Sequence, residues 1–254
     1  MVKVLFIGDV VGRSGRNAVA AVLPKLASSY SWDLCIANAE NAAGGRGITP
    51  AIAQELLAAG IDVLTMGNHT WDNKEIFQFI DQADYLVRPA NYPTRVPGQG
   101  YTVVEKGGKR TAVISLSGQV FMDMMDCPFA KADELLAKLT HCDYIIVDFH
   151  GEATAEKVGF ARYLDGRAAA VIGTHTHIQT ADEQMLPKGT LYITDVGATG
   201  AVNSVLGMEI EPVLKRLTTK LPQRFVAAKG PALLCAVLMD LSAKTILRLA
   251  IAHE

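Results

Sequence analysis

Apolar runs of four to seven residues alternate along the chain with longer amphipathic stretches, a rhythm of strand, helix, strand. The run KVLFIG (3–8) is followed by a helical stretch from about Arg16 to Ser29, and DLCIAN (33–38) by a second helix opening at Thr49-Pro50, a favoured N-cap and N1 pair. DVLTMG (62–67) then leads into NKEIFQFI, so the first third predicts a βαβαβ unit with parallel strands. YTVVEKGGKRTAVISL (101–116) reads as two β-branched runs joined by a Gly-Gly turn, and FMDMMDCPF (121–129) as a loop. A helix through DELLAKL, the strand YIIVDFH, a helix around AEKVGFARYL and the strand AAAVIG come next. The last third adds TLYITDVG, a helix near EIEPVLKRL, and two β runs, ALLCAVLMD and TILRLAIA. Strands both early and late, with helices between, predict an α/β fold of two mixed sheets packed face to face, a four-layer αββα sandwich flanked by helices.

Length and composition add bounds. With 254 residues and no repeat, low-complexity tract or Pro/Gly/Ser linker, the chain reads as a single domain over 1–254. The formal net charge of -2, with both signs mixed, gives no electrostatic reason to expect a stable nucleic-acid complex or a membrane surface as partner. No segment approaches ~18 uninterrupted apolar residues, and MVKVLFIGDV is too short for a signal core, so the expectation is a cytoplasmic protein. Cys35, Cys127, Cys142 and Cys235 are scattered without paired spacing, and read as buried reduced thiols.

Chemistry collects where the apolar runs end. In α/β sheets the ligand crevice lies beyond the carboxyl ends of the strands. LFIGD ends in Asp9, CIANAEN in Glu40 and Asn41, LTMGNH in Asn68 and His69, IVDFH in His150, and VIGTHTH in His175 and His177. Each position alone has an ordinary reading as a turn former, a helix cap or a hydrogen-bonded structural histidine, and His141 and His253 take only that one. Together, eight oxygen and nitrogen donors at one sheet edge form an under-satisfied polar cluster unless a cation sits among them. Oxygen and imidazole donors without thiolate suit manganese, iron or zinc. Two ions ~3.5–4 Å apart need a bridging carboxylate and form a clamp for in-line displacement at phosphorus. Glu40 is the natural bridge, and the HxH stretch offers one imidazole to each ion. A dinucleotide-binding reading of GDVVGRSG fails on spacing, which is GxxxGxxG, and on the charge of Asp9 beside a pyrophosphate.

The order GD, acidic motif, GNH, solitary His and HTH resembles the calcineurin-like metallophosphoesterases. GDVVGRSGR, NAENAAGGRGIT, TMGNHTWDNKEI, RPANYP, DFHGEATAEK, YLDGR, GTHTHIQTADE and YITDVGATG resemble more closely its bacterial YmdB-like branch, over residues 3 to about 208. The resemblance implies a dinuclear phosphodiesterase acting on cyclic nucleotides, notably 2',3'-cyclic nucleotides such as 2',3'-cAMP, by metal-bridged hydroxide attack at phosphorus. It assigns Asp9, Glu40, Asn41 and His177 to one ion and Glu40, Asn68, His150 and His175 to the other, with His69 acting on the substrate as proton donor. Iron or manganese is the favoured metal, with zinc or magnesium as alternatives. The chain departs from the wider superfamily at Val11, which replaces the imidazole of a DxH motif, at Glu40, where an Asp is usual, and at Thr174, which separates Gly173 from His175.

Weaker candidates surround this set. Asp148, Glu152 and Asp195 could orient imidazoles, Arg46 in NAAGGRG could meet a phosphate, and Asn91 could belong to the site's rim. A phosphomonoesterase or protein phosphatase would use the same ions, and a metal-dependent regulatory or RNA-associated scaffold is the non-enzymatic alternative. Alternating apolar residues in the C-terminal strands fit either core or the interface of a homo-oligomer.

Overall fold

The alternation of strand side chains decides the layering. In the computed structural model, which describes residues 2–254, the chain runs β1 (Lys3–Ile7), β2 (Asp9–Val10), α1 (Gly12–Ala27), β3 (Leu34–Asn38), α2 (Pro50–Ala58), β4 (Val63–Thr65) and a 3-10 turn (Lys74–Gln78). It continues through β5 (Leu86–Val87), β6 (Tyr101–Lys106), β7 (Lys109–Ser117), α3 (Pro128–Lys138), β8 (Tyr144–His150), α4 (Thr154–Tyr163) and β9 (Ala170–Thr174). β10 (Gln184–Met185), β11 (Leu191–Ile193), β12 (Ala198–Ala201), α5 (Ile210–Thr219), β13 (Ala232–Asp240) and β14 (Thr245–His253) complete it.

Two mixed sheets result. One has the order β2-β12-β13-β1-β3-β4-β5 with β14 on the free side of β13, and the other β10-β11-β9-β8-β7-β6. Val4 and Phe6 of β1 meet Val113, Ile146 and Ile172 of the second sheet in a central core, while Leu5 and Ile7 face Val19, Val22 and Leu26 of α1. Val147 and Phe149 of β8 point the other way, against Ala132 and Leu135 of α3 and Phe160 of α4. Three apolar seams between four layers give the αββα sandwich, and strands buried on both faces account for the uninterrupted apolar runs. Among the described residues no helix is long and apolar enough to cross a membrane.

Several expectations hold residue for residue. Thr49 caps α2, its hydroxyl accepting from the Ile52 amide at 3.2 Å. Gly107 and Gly108, both at positive φ (58° and 69°), make the tight turn between β6 and β7. β1, β3 and β4 are parallel neighbours. Others shift. α1 opens at Gly12 rather than near Arg16 because Gly12 takes a φ of 57° that lets the chain turn into the helix directly after Val11. The segment after Asn73 forms only a 3-10 turn, and α3 absorbs Pro128 and Phe129, proline being suited to a first helical turn. The late run β13 pairs antiparallel with both β1 and β14, which brings the C-terminal strands into the first sheet. Cys35 and Cys235 are buried free thiols as expected, but Cys127, at the surface entrance to α3, is exposed and Cys142 is half-buried.

The strand ends are tight. A Cβ on Gly173 would lie 1.8 Å from the Thr194 carbonyl oxygen, a backbone atom that cannot swing aside. Gly173→Ala is therefore expected to cost about 1–3 kcal/mol or more, read as a melting temperature lower by about 2–4 °C per kcal/mol. Gly159→Ala in α4, where a Cβ meets nothing within 4 Å, should hold or raise it.

Candidate metal centre

The parallel strands β1, β3 and β4 end side by side, and so do β8 and β9 of the other sheet. Asp9, Glu40, Asn41, Asn68 and His69 therefore come from the first sheet and His150, His175 and His177 from the second. The group sits across the seam of two sheets, not along one edge of a single sheet as the strand order suggested.

One nitrogen is its focus. His150 Nε2 lies 2.9 Å from Glu40 Oε1, 2.9 Å from Asn68 Oδ1 and 3.0 Å from His175 Nδ1. One N–H cannot serve three acceptors. Donors bound at right angles to an ion at ~2.0–2.1 Å stand about 3 Å apart, which is the spacing found. Glu40, His150 and His175 could together hold a metal ion.

Neighbours outside this group set each imidazole's tautomer. Thr174 Oγ1 donates to Asp148 Oδ1 at 2.6 Å and so accepts from His150 Nδ1–H at 2.8 Å, turning Nε2 inward. His177 Nδ1–H donates to the Leu206 carbonyl at 3.0 Å, leaving Nε2 bare, and His175 Nε2 meets Glu152 at 3.1 Å, leaving Nδ1 bare. Such outer partners fix which nitrogen faces an ion. His175 (φ 97°) and His177 (φ 65°) hold left-handed backbone, and between them Thr176 donates its N–H and hydroxyl to Asp195 at 3.0 and 2.7 Å. Asp195 is in turn paired with the buried Lys157 at 2.7 Å. Left-handed backbone at two such residues persists only where the surroundings hold it in place.

The second half of the cluster is looser. Asp9 Oδ1 is fully buried with no hydrogen-bond partner among the described residues, and His177 Nε2 stands 3.8 Å from it. An orphaned buried carboxylate oxygen costs free energy that a cation would relieve, so the donor set fits a metal here too. Asn41 points its Nδ2 at His177 Nε2 (3.3 Å) and Glu40 Oε1 (3.4 Å), so ligation through its oxygen requires the amide to turn over.

Charge explains the titration behaviour. Burial pushes the Asp9 carboxyl up to about 6. Burial also opposes ionisation of Glu40, but the His150 imidazole and the His69 amide (2.9 Å) outweigh it and hold the carboxyl down at about 2. For His150, burial pulls down while Glu40, Asp9 and Asp148 push up, with a net rise to about 9. His175 falls to about 3 through burial and the neighbouring His150 charge.

His69 stands beside this group. Its Nδ1–H donates to Asp72 at 2.8 Å, which leaves Nε2 as the nitrogen free of that contact. His69 lines a cleft of about 280 Å3 together with Glu40, Asn41, Arg46, His175 and His177. Arg46 reaches Asp72 at 3.7 Å. Asn91 is buried away from the cleft, its amide bonded to Ser117 and Asp126, where it anchors the 118–127 loop. Neither Asp72 nor the role of Thr174 is among the expectations from sequence. Asp72, three residues after His69, carried a readable signal, whereas Thr174 acts only through a cross-strand contact.

Comparison with known proteins follows the same line. The family described as YmdB-like protein matches residues 5–253. The chain is 52% identical over 244 residues, 96% of it and 92% of the relative, to a Bacillus subtilis (strain 168) protein described as 2',3'-cyclic-nucleotide 2'-phosphodiesterase. A crystal structure of a hypothetical protein from Thermus thermophilus superposes with a TM-score of 0.95 at 43% identity, covering 100% of both chains. Another, of a novel phosphatase from Mycoplasma pneumoniae, gives 0.92 at 36% identity, covering 99% of this chain and 93% of that one.

Two outcomes are expected. A Cβ on Gly67 would meet His150 Nε2 at 2.4 Å. Gly67→Ala should therefore weaken metal affinity about 10- to 100-fold with circular dichroism unchanged, as measured by metal titration. Because the folded-state pKa of His150 is raised to about 9, metal-free protein carries that proton at neutral pH, and an imidazole must lose it to bind a metal. Adding manganese to chelator-treated protein at about pH 7 should release protons, and the release should fade as the pH passes about 9. Release that stays constant over that range would contradict the assignment.

Proposed function

The chain belongs to the YmdB-like protein family, and from that premise we propose that it is a dinuclear-metal phosphodiesterase that opens 2',3'-cyclic nucleotides such as 2',3'-cAMP. The observation that carries the reading is the meeting of Glu40, Asn68 and His175 at His150 Nε2, with Glu40 and His175 lining the same cleft as His69. Glu40, Asn68, His150 and His175 are proposed to hold one ion, and Asp9, Glu40, His177 and a turned Asn41 the other. The oxygen and imidazole donors suit manganese, iron or zinc, of which iron or manganese is proposed from the family resemblance. Divalent ions in such a centre bring the pKa of water toward neutrality and offset charge on phosphoryl oxygens.

The chain's own groups do the rest. Asp72 holds the His69 ring by Nδ1, so a proton on Nε2 is the one available to the cleft. As the water oxygen bonds to phosphorus and the bond from phosphorus to the 2'-oxygen breaks, His69 donates that proton to the departing oxygen, and the proton shed by the water restores the one on Nε2. The product is a nucleoside 3'-phosphate. Arg46 reaches the cleft from NAAGGRG and offers its charge to the phosphate. Glu152 and Thr174 keep His175 and His150 turned so that each presents one lone pair.

A panel of 2',3'-cAMP, 3',5'-cAMP and p-nitrophenyl phosphate under defined manganese or iron loading tests the reading. Fastest turnover is expected on 2',3'-cAMP, and a preference for the monoester would overturn it. His69→Ala should lower kcat by about 10²- to 10⁴-fold with bound metal unchanged. Loss of metal in that variant would make His69 a ligand instead.

A further inference from the structure

The cleft that exposes His69, His175 and His177 is also lined by Met208 and Phe225, and the chemistry above gives Phe225 no task. Phe225 lies between α5 and β13 and belongs to none of the three apolar cores. Its segment is nonetheless fastened down. The Glu209 N–H donates to the Val226 carbonyl at 2.9 Å, the Ala228 N–H to Gly207 at 2.8 Å, and Ser14 Oγ to the Ala228 carbonyl at 3.1 Å. On one face of the ring lies the Arg216 guanidinium, 5.6 Å from the centroid. A half-exposed aromatic ring, backed by a cation and held by a fastened segment, presents its other face as a ready-made flat surface.

We propose that Phe225 is the nucleobase platform of this site, stacking the base of a cyclic nucleotide whose phosphate lies at the carboxylate and imidazole cluster. This rests on the phosphodiesterase reading and adds what that reading lacks, a source of preference for nucleosides over other cyclic diesters. Every base has a π-face, so stacking tolerates all four and favours the larger purines. The rival platform is Phe121, which is 88% exposed on the 118–127 loop beside a second cleft lined by Asn68 and His175. Phe121 has no cation or aromatic ring against it among the described residues and would have to be ordered on binding, a cost that the held Phe225 ring largely avoids. The cleft lined by Phe225 is also the one lined by the proton donor, and in a 2',3'-cyclic nucleotide the base sits on the carbon next to the one bearing the departing 2'-oxygen.

The test compares Phe225→Ala, Phe225→Trp and Phe121→Ala on 2',3'-cAMP, 2',3'-cCMP and the base-free methyl riboside 2',3'-cyclic phosphate. Phe225→Ala should raise KM for 2',3'-cAMP about 5- to 150-fold with kcat within about twofold. It should also shrink the purine preference and leave the base-free diester's kcat/KM at the wild-type value, while Phe225→Trp restores the KM. An unchanged KM, an equal loss on the base-free diester, or an effect confined to Phe121→Ala would overturn the proposal. Equilibrium binding of 3'-AMP and of inorganic phosphate separates this proposal from the reading beneath it. If wild-type protein hydrolyses no cyclic nucleotide yet Phe225→Ala weakens 3'-AMP and not phosphate, the phosphodiesterase reading fails and the platform stands. If hydrolysis is normal and neither KM nor 3'-AMP binding responds, the platform alone fails.

Discussion

A single buried carboxylate connects architecture to chemistry. Asp148 on β8 accepts from Asn38 on β3 and Thr65 on β4 across the central core, and from Thr174 on the neighbouring β9. Burial raises its pKa, and the three donors work against that rise. The same hydroxyl of Thr174 that serves Asp148 receives the His150 N–H. The contact that locks the two sheets in register therefore also turns a central imidazole toward the site. In the dry interior such a network is strong when complete and costly when one member is missing.

The cluster above that carboxylate is built against its own stability. Lone pairs of Glu40, Asn68, His150 and His175 converge, and Asp9 Oδ1 has no hydrogen-bond partner among the described residues. Without a cation, the surroundings hold a proton on His150 to separate the acceptors. The strained His175 and His177 backbone stays in place because Asp195 holds Thr176 between them and Lys157 balances the charge of Asp195. Rigid supports around an electrostatically frustrated centre leave little to rearrange when a cation arrives, which is the condition for preorganised chemistry.

The polar site also has apolar surroundings with separate tasks. Glycines at the strand ends let backbones and rings approach: Gly8 against Gly197, Gly67 against His150, and Gly173 against Thr194. The 118–127 loop, anchored by Asn91 and by two backbone amides on Glu156, forms one side of the site. The segment that carries Phe225 and Met208 forms the other. Arg46 and His69 line the same cleft, and Asp72 pairs with both, at 3.7 and 2.8 Å.

The sequence by itself determined the elements and the chemical cast. Uninterrupted apolar runs required strands buried on both faces, Thr49-Pro50 and Gly107-Gly108 marked a cap and a turn, and the residues after five runs named the polar set, because those signals are local. Only the tertiary structure decided that β13 returns to pair with β1 and that the polar set divides between two sheets, since pairing between distant strands leaves no trace in local periodicity. It also decided which nitrogen each histidine presents, through Thr174, Leu206 and Glu152, and that Asn91 anchors a loop and stays out of the cleft. Those outcomes depend on neighbours tens of residues away, and a side chain's hydrogen-bonding role is fixed by what faces it across space.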